Sequence, residues 1–348
     1  EEDMKTKALR NSLHGVGLAA CLAFAAPGAA LAADMEMTLQ VYPGSLVSLP
    51  EYVGVNAGIY EKNGLDVNLL PLRTGPDSIA GAASGSADAV SNSLGNTLLA
   101  NGQGQDLVLV ANAWNAPLFS WLKQPSYEMA DLDQDYPGNL AGFKGARIGV
   151  AGRGTETELF TRVLLKDAGI DPDTEVTWVP VGFGQTAVAA FEAEQVDIVI
   201  TMEPVQTILD TRQTGEMVID LTAGEGPELF RTYPGVSRIA LRSHVEENPD
   251  LFAAYLTAHD EVIAYISDPA NVDAVAAIFA EASGQPIEIA TAIVGKYTGV
   301  WANVFDCQGY ANVLAYLVAS GQFAQELADN AQTCESIVAP VSQGIIIQ

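Results

Sequence analysis

The richest run of chemically capable residues in this chain is Ile148-Gly149-Val150-Ala151-Gly152-Arg153-Gly154-Thr155-Glu156-Thr157-Glu158. It reads as a strand, a glycine-rich turn and a helix start. Gly152 and Gly154 let the backbone turn tightly, so the first N–H groups of the helix can point at a ligand. No Lys-Ser/Thr pair follows the glycines, and the spacing is not the dinucleotide fingerprint, so the turn is not a nucleotide-phosphate cradle. Arg153 offers a guanidinium fork for a carboxylate or sulfonate, or else sits at a rim beside Glu156. Thr155, with Glu158 three residues on, has the pattern of a capping box, and a cap on a cleft-facing helix can also meet a ligand. Glu203, in Met202-Glu203-Pro204, either accepts from a ligand amine or hydroxyl or caps the helix that Pro204 opens.

Other candidates fall where strands end. Tyr42, Ser45 and Ser48 follow the first strand, Thr74 precedes a helix start, and Ser91, Asn92 and Ser93 follow the third strand. Asn112, Trp114 and Asn115 follow the fourth, with Trp114 either an aromatic wall or a hinge filler, and Tyr233 is a further aromatic candidate. Catalytic patterns do not accompany them. His14, His244 and His259 lack metal-ligand spacing, no paired cysteines join them, and there is no G-x-S-x-G elbow. The residues point to binding without catalysis and without a metal.

Placing these side chains in one site demands particular elements. Short β-type runs alternate with helical stretches, which predicts α/β layering with mainly parallel sheets. Strands are expected at 39–42, 66–72, 87–90 and 107–110, with helices opening at Pro50, Asp77 and Thr97. The order then recurs: strands at 147–151, 175–180, 196–200 and 217–220, with helices at 157–168, 186–193 and 204–213. Gly75 precedes Asp88 by the same step as Gly184 precedes Asp197, an offset that also lays Val41 over Val150. Such a repeat implies two similar lobes facing each other. Asp88 and Asp197, equivalent in the repeat, are expected to shape strand entry. The last third reads as helices, among them 272–282, 287–297 and 308–320. Two non-helical crossings, Leu118–Leu122 and Val236–Leu241, would form a hinge, and open α/β sheets bind ligand beyond the carboxyl ends of their strands. The expected division is a leader at 1–32, a first lobe from 33–120 and 237–348, and a second lobe from 121–236.

Lys5, Lys7 and Arg10, an apolar run from Val16 to Ala26, Pro27, and Ala30-Leu31-Ala32 together make a secretory leader with cleavage after Ala32. Glu1–Asp3, ahead of Met4, read as a non-native addition. A second reading makes Leu18-Ala19-Ala20-Cys21 a lipoprotein box that would lipidate Cys21. The net charge is −27, which disfavours nucleic acid and anionic lipid as partners. Past the leader, no apolar run is long enough to span a bilayer. Cys307 and Cys334 remain as an even pair, either one disulfide worth about 3–4 kcal/mol or two buried thiols.

Several blocks, in this order and spacing, resemble the solute-binding proteins of nitrate/sulfonate/taurine-type (NitT/TauT-like) ABC importers, relatives of thiamine-precursor-binding proteins. They are Leu49–Val67 with its Gly64-Leu65-Asp66-Val67 strand, Gly85-Ser86-Ala87-Asp88-Ala89, and Phe143-Lys144-Gly145-Ala146-Arg147-Ile148-Gly149-Val150. Gly169-Ile170-Asp171-Pro172, Val196-Asp197 and Glu203-Pro204 complete the set. The resemblance implies a two-lobed, type II-like periplasmic binding protein joined by a two-crossing hinge. It would act as a monomer without cofactor, with a small-molecule ligand, a permease and its ATPase as partners. It also implies ligand contacts from Tyr42–Ser48, Ser91–Ser93, Gly152–Glu156 and Glu203. Arg153 beside Glu156 and Glu203 departs from a purely anion-binding set and suits a zwitterion, with a sulfonate, a carboxylate or an uncharged heterocycle as alternatives. An enzyme of pyrimidine synthesis on the same fold, or a receptor reporting to a sensor, are the competing readings.

Overall fold

Strand β1 (Met35–Val41) begins earlier than the Leu39 expected, because Met37, Leu39 and Val41 already alternate into the core with the two-residue period of a strand. The computed structural model describes residues 35–114 and 117–347. The leader with Cys21, and Asn115, lie outside the described residues. The further strands are β2 (Leu65–Pro71), β3 (Val90–Asn92), β4 (Leu107–Asn112), β5 (Ser120–Lys123) and β6 (Arg147–Val150). Then come β7 (Thr177–Pro180), β8 (Ile198–Thr201), β9 (Glu216–Asp220) and β10 (Ser237–Leu241).

They build two sheets with the same plan. In the first, β1 pairs in parallel with β2, the bridge Leu39–Ala89 ties β1 to the approach to β3, and β10 runs antiparallel between β3 and β4. In the second the order is β7-β6-β8-β5-β9, with β5 antiparallel to both its neighbours. The repeat read from glycine and aspartate spacing is present in the hydrogen bonds. The Asp88 carboxylate accepts from Thr38 N at 2.6 Å, and Asp197 accepts from Arg147 N at 2.7 Å, the same pairing shifted by the Gly75-to-Gly184 offset. Both aspartates shape strand entry, as expected. The inserted strands match as well: each carries a register shift, between Arg238 and Ile239 in β10 and between Trp121 and Leu122 in β5. Ser237 Oγ meets Asn112 Oδ1 at 3.2 Å where Ser120 Oγ meets Asp220 Oδ1 at 3.1 Å. The stretches read as crossings, Leu118–Leu122 and Val236–Leu241, thus lead into β5 and β10, which complete each sheet with a strand from the other half of the repeat.

Helices fall near their expected places: α1 (Leu49–Asn56), α2 (Gly75–Ala83), α3 (Leu94–Gly102), α4 (Glu156–Asp167), α5 (Gln185–Glu192) and α6 (Val205–Thr211). The C-terminal part adds α7 (Pro249–Ser267), α8 (Val272–Ser283), α9 (Ile287–Tyr297) and α10 (Cys307–Ala319). Their starts have local causes. Thr74 Oγ1 accepts from Asp77 N at 3.2 Å and Ser93 Oγ from Asn96 N at 3.2 Å, while Pro50 and Pro249 occupy first-turn positions where a missing N–H costs nothing.

Helix α10 joins parts of the chain that are distant in sequence. Its Tyr316 stacks on Phe160 of α4 with ring centroids 5.1 Å apart, and Gly309 lies so close to the Thr232 carbonyl that a Cβ would collide with it. Cys307, at its start, is bonded to Cys334 as a disulfide with Cα atoms 5.5 Å apart. Among the described residues no single helix is long and apolar enough to cross a membrane.

Candidate ligand-binding site

The two crossing segments and the start of α4 enclose a cavity. It is lined by Val47, by Trp114 and Pro117 ahead of the first crossing and Leu118 and Phe119 within it, and by Tyr233 and Gly235 ahead of the second and Val236 at its start. Glu156 and Phe160, one helical turn apart on α4, and Met202 at the end of β8 close it. It offers about 40 Å³ in which a water-sized group can be centred, room for roughly three such groups. A larger groove of about 590 Å³ lies between α2 and α3, but it is more open, has no charged lining residue and involves neither crossing.

The cavity wall is aromatic. Phe160 makes edge contacts with Phe230 at 4.3 Å and Tyr233 at 5.2 Å and a tilted one with Phe119 at 5.3 Å. Trp114 is 1% exposed, stands edge-on to Trp301 at 4.6 Å, and its Nε1–H has no partner among the described residues. Into this setting projects Glu156. Its Oε1 accepts from the Tyr233 hydroxyl at 3.4 Å, and Ser93, the cap of α3, also donates to the carboxylate. Burial pushes its pKa up to about 6, only partly offset by those two donors.

The family model described as NMT1/THI5 like matches residues 46–272, well over half of the chain. The chain belongs to the NMT1/THI5-like family. No curated protein matches it. Among solved structures, the periplasmic aliphatic sulphonate-binding protein SsuA from Escherichia coli superposes with a TM-score of 0.70 at 16% identity, covering 89% of this chain and 99% of that one. The periplasmic nitrate-binding protein NrtA from Synechocystis PCC 6803 gives 0.69 at 14% identity, over 89% and 87%. A Candida albicans protein described as having the generic periplasmic binding protein fold gives 0.64 at 11%, over 88% and 96%. At these identities the likeness establishes the two-lobed periplasmic-binding-protein fold.

In this NMT1/THI5-like chain the residues singled out from sequence separate into two groups. Trp114, Glu156 and Tyr233 line the cavity together. Ser93 reaches the site through the Glu156 carboxylate, and the other described candidates are engaged elsewhere. Arg153 turns away: its Nε pairs with Glu158 at 2.9 Å, its guanidinium lies 5.8 Å over the Trp178 ring, and 54% of its side chain is exposed. Glu158 draws it there, holding Arg162 at 2.8 Å and accepting from Gly154 N at 2.7 Å as well. The capping box therefore does not form. Thr155 occupies the cap position, but its hydroxyl donates back to Gly152 O at 2.7 Å and meets Thr157 Oγ1 at 2.8 Å.

The first-lobe candidates brace one another. The Tyr42 hydroxyl donates to Ser91 O at 2.9 Å, Ser48 Oγ accepts from Tyr42 N at 2.8 Å, and Ser45 Oγ accepts from Val47 N at 3.3 Å. Asn92 Nδ2 donates to Gly75 O and to Ser78 Oγ, and its Oδ1 accepts from Ser93 N and Asn96 Nδ2. Thr74 is spent as the α2 cap. Ser91 is buried, its N–H on Gln40 Oε1 at 2.9 Å.

Glu203 follows its capping alternative. Its carboxylate takes Thr207 N at 3.0 Å and Thr207 Oγ1 at 3.0 Å at the start of α6. Lys296 of α9 stands 3.7 Å from it, 3.4 Å from Asp220 and 3.3 Å from Gln206 Oε1, bridging the C-terminal helices to the second sheet. Sequence reading missed Phe160, Phe119 and Lys296. The first was accessible, since it lies four residues after Glu156 on one helix face. Lys296 carries no local signal of its partners. A buried pair supports the wall from behind: Arg238 Nε and Nη2 hold Glu51 at 2.7 and 2.9 Å, and Nη2 also holds the Val47 carbonyl at 3.0 Å.

Proposed function

We propose that this protein is the solute-binding subunit of an ABC-type importer, capturing a small polar organic solute and presenting it to a membrane permease and its ATPase. The observation that carries this reading is the partly enclosed cavity at the point where both crossing segments meet α4. A solute held there touches both lobes and the hinge at once, so its binding energy favours the closed arrangement. The lobes in this reading are 33–120 with 237–348, and 121–236. The protein works as an exported monomer, freed of its leader, and acts by binding alone. The sulphonate and nitrate named for the similar structures frame the range of solutes, which the cavity narrows below.

The test is a thermal-shift screen of the protein from Ala33 onward against amines, sulfonates, carboxylates, nitrate and pyrimidines, followed by small-angle scattering with each hit. A solute that binds only the folded state raises the melting temperature by mass action, and closure lowers the radius of gyration. A hit that leaves the radius unchanged overturns closure about the crossings.

A further inference from the structure

The basic side chains that the sequence or the fold brings closest to the site are paired with carboxylates. Arg153 lies on Glu158, Arg238 is buried on Glu51, and Lys296 stands between Glu203 and Asp220. Arg147 lies on Asp197 and Arg162 on Glu158 and Asp173. None of the described residues lining the cavity is Lys, Arg or His. Glu156 is the one carboxylate among them, and its two partners, Ser93 and Tyr233, are neutral donors. A carboxylate has about four acceptor directions, so two donors leave it open to a third. The faces of the surrounding Trp114, Phe119, Phe160 and Tyr233 rings favour a cation, and the Trp114 Nε1–H is an unpartnered donor beside them.

We propose that the solute is a small organic cation whose protonated amine sits on the Glu156 carboxylate against the Trp114, Phe119, Phe160 and Tyr233 rings. The proposal rests on the solute-receptor reading and names its substrate class. The cavity has room for an ammonium head with little besides, so the remainder of a longer solute would extend toward the opening between the lobes. The cation supplies the charge that the pocket lacks: an uncompensated carboxylate in an apolar surround is costly, and a bound ammonium offsets that cost directly. An anionic sulfonate or nitrate in the same place would add like charge to Glu156.

Binding is then linked to protonation. The groups facing Glu156 are Ser93 from the α3 cap, Tyr233 ahead of the second crossing, Tyr316 from α10 and Tyr42 just after β1. All three tyrosines are pushed upward by burial and stay neutral across the working range, so among the described residues lining the cavity Glu156 is the one that titrates there. With its pKa at about 6, cation affinity falls about tenfold between pH 7 and pH 5.

The experiment is a melting-temperature and calorimetric titration of the wild-type protein and of Glu156→Gln with ethylamine, ethanolamine, ethanesulfonate, acetate and nitrate at millimolar concentration, at pH 7 and pH 5. The expected result is stabilisation by the amines alone, weakened about tenfold at pH 5 and lost in the Gln variant. Circular dichroism of the variant verifies that it folds. If the anions stabilise wild type and Glu156→Gln alike while the amines do nothing, the amine class is overturned and the receptor reading survives. If amines stabilise both forms equally, Glu156 is not the seat and the proposal fails. Silence from every probe overturns the amine class, while the receptor reading stands or falls on the wider screen with pyrimidines.

Discussion

In the proposed role, Glu156 serves binding at the expense of the empty fold. Its folded pKa is raised to about 6 from the ordinary 4.5, so its stabilising contribution is full below 4.5 and is lost as pH rises through 6. At pH 7.5 the solute-free protein therefore carries an ionised group in a poor environment. Replacing it by Gln, which keeps an acceptor for Ser93 and Tyr233, should stabilise the free protein by about 1 kcal/mol at pH 7.5 and by nothing at pH 4.5. Denaturant melts of both forms at the two pH values check this, and equal stability at pH 7.5 would contradict it. Sequence reasoning reached Glu156 through its place after a glycine turn. It could not foresee that the neighbouring Arg153 would leave, because Glu158, Arg162 and Trp178 fix that side chain through contacts made only on folding.

Between elements, Lys296 is the contact that the sequence did not foretell. It lies on α9, far along the chain from Glu203 and Asp220, yet it bridges them. The pairs are 3.7 and 3.4 Å long and Lys296 is 38% exposed, so they add at most about 1 kcal/mol to stability. Their role is geometric, holding the C-terminal helices to the second sheet. Lys296→Met is expected to leave the melting temperature nearly unchanged while raising the solute-free radius of gyration in small-angle scattering; an unchanged radius would remove the bridge from the closing motion. The strands, by contrast, were legible. Their period of two and the shared Gly-to-Asp step placed them within a few residues, since these signals are local. The insertion of β5 and β10 was not, because short antiparallel strands at Ser120–Lys123 and Ser237–Leu241 read in isolation as connecting segments.

Across the whole molecule, the disulfide closes the C-terminal helices on themselves. Free-thiol titration of the unfolded, unreduced protein from Ala33 onward should find none, and reduction should cost about 3–4 kcal/mol in denaturant melts. A titratable thiol would show that the bond does not form in solution. The two-lobed architecture was readable from the repeat. The cavity's position was readable only in outline, as a place beyond strand ends, because which side chains reach it depends on the aromatic packing of Phe160, Phe230, Tyr233 and Tyr316. The exchange of strands has a consequence for the order of events as the chain emerges. The first sheet has β3 and β4 by Asn112, but the strand that joins them, β10, arrives only at Ser237–Leu241. Until then two strand edges stand unpaired, and the amino-terminal portion has no finished sheet to settle into. A polypeptide that must be threaded through a narrow channel gains from that delay: it stays pliable until nearly all of it has passed, and its last third then locks both halves together.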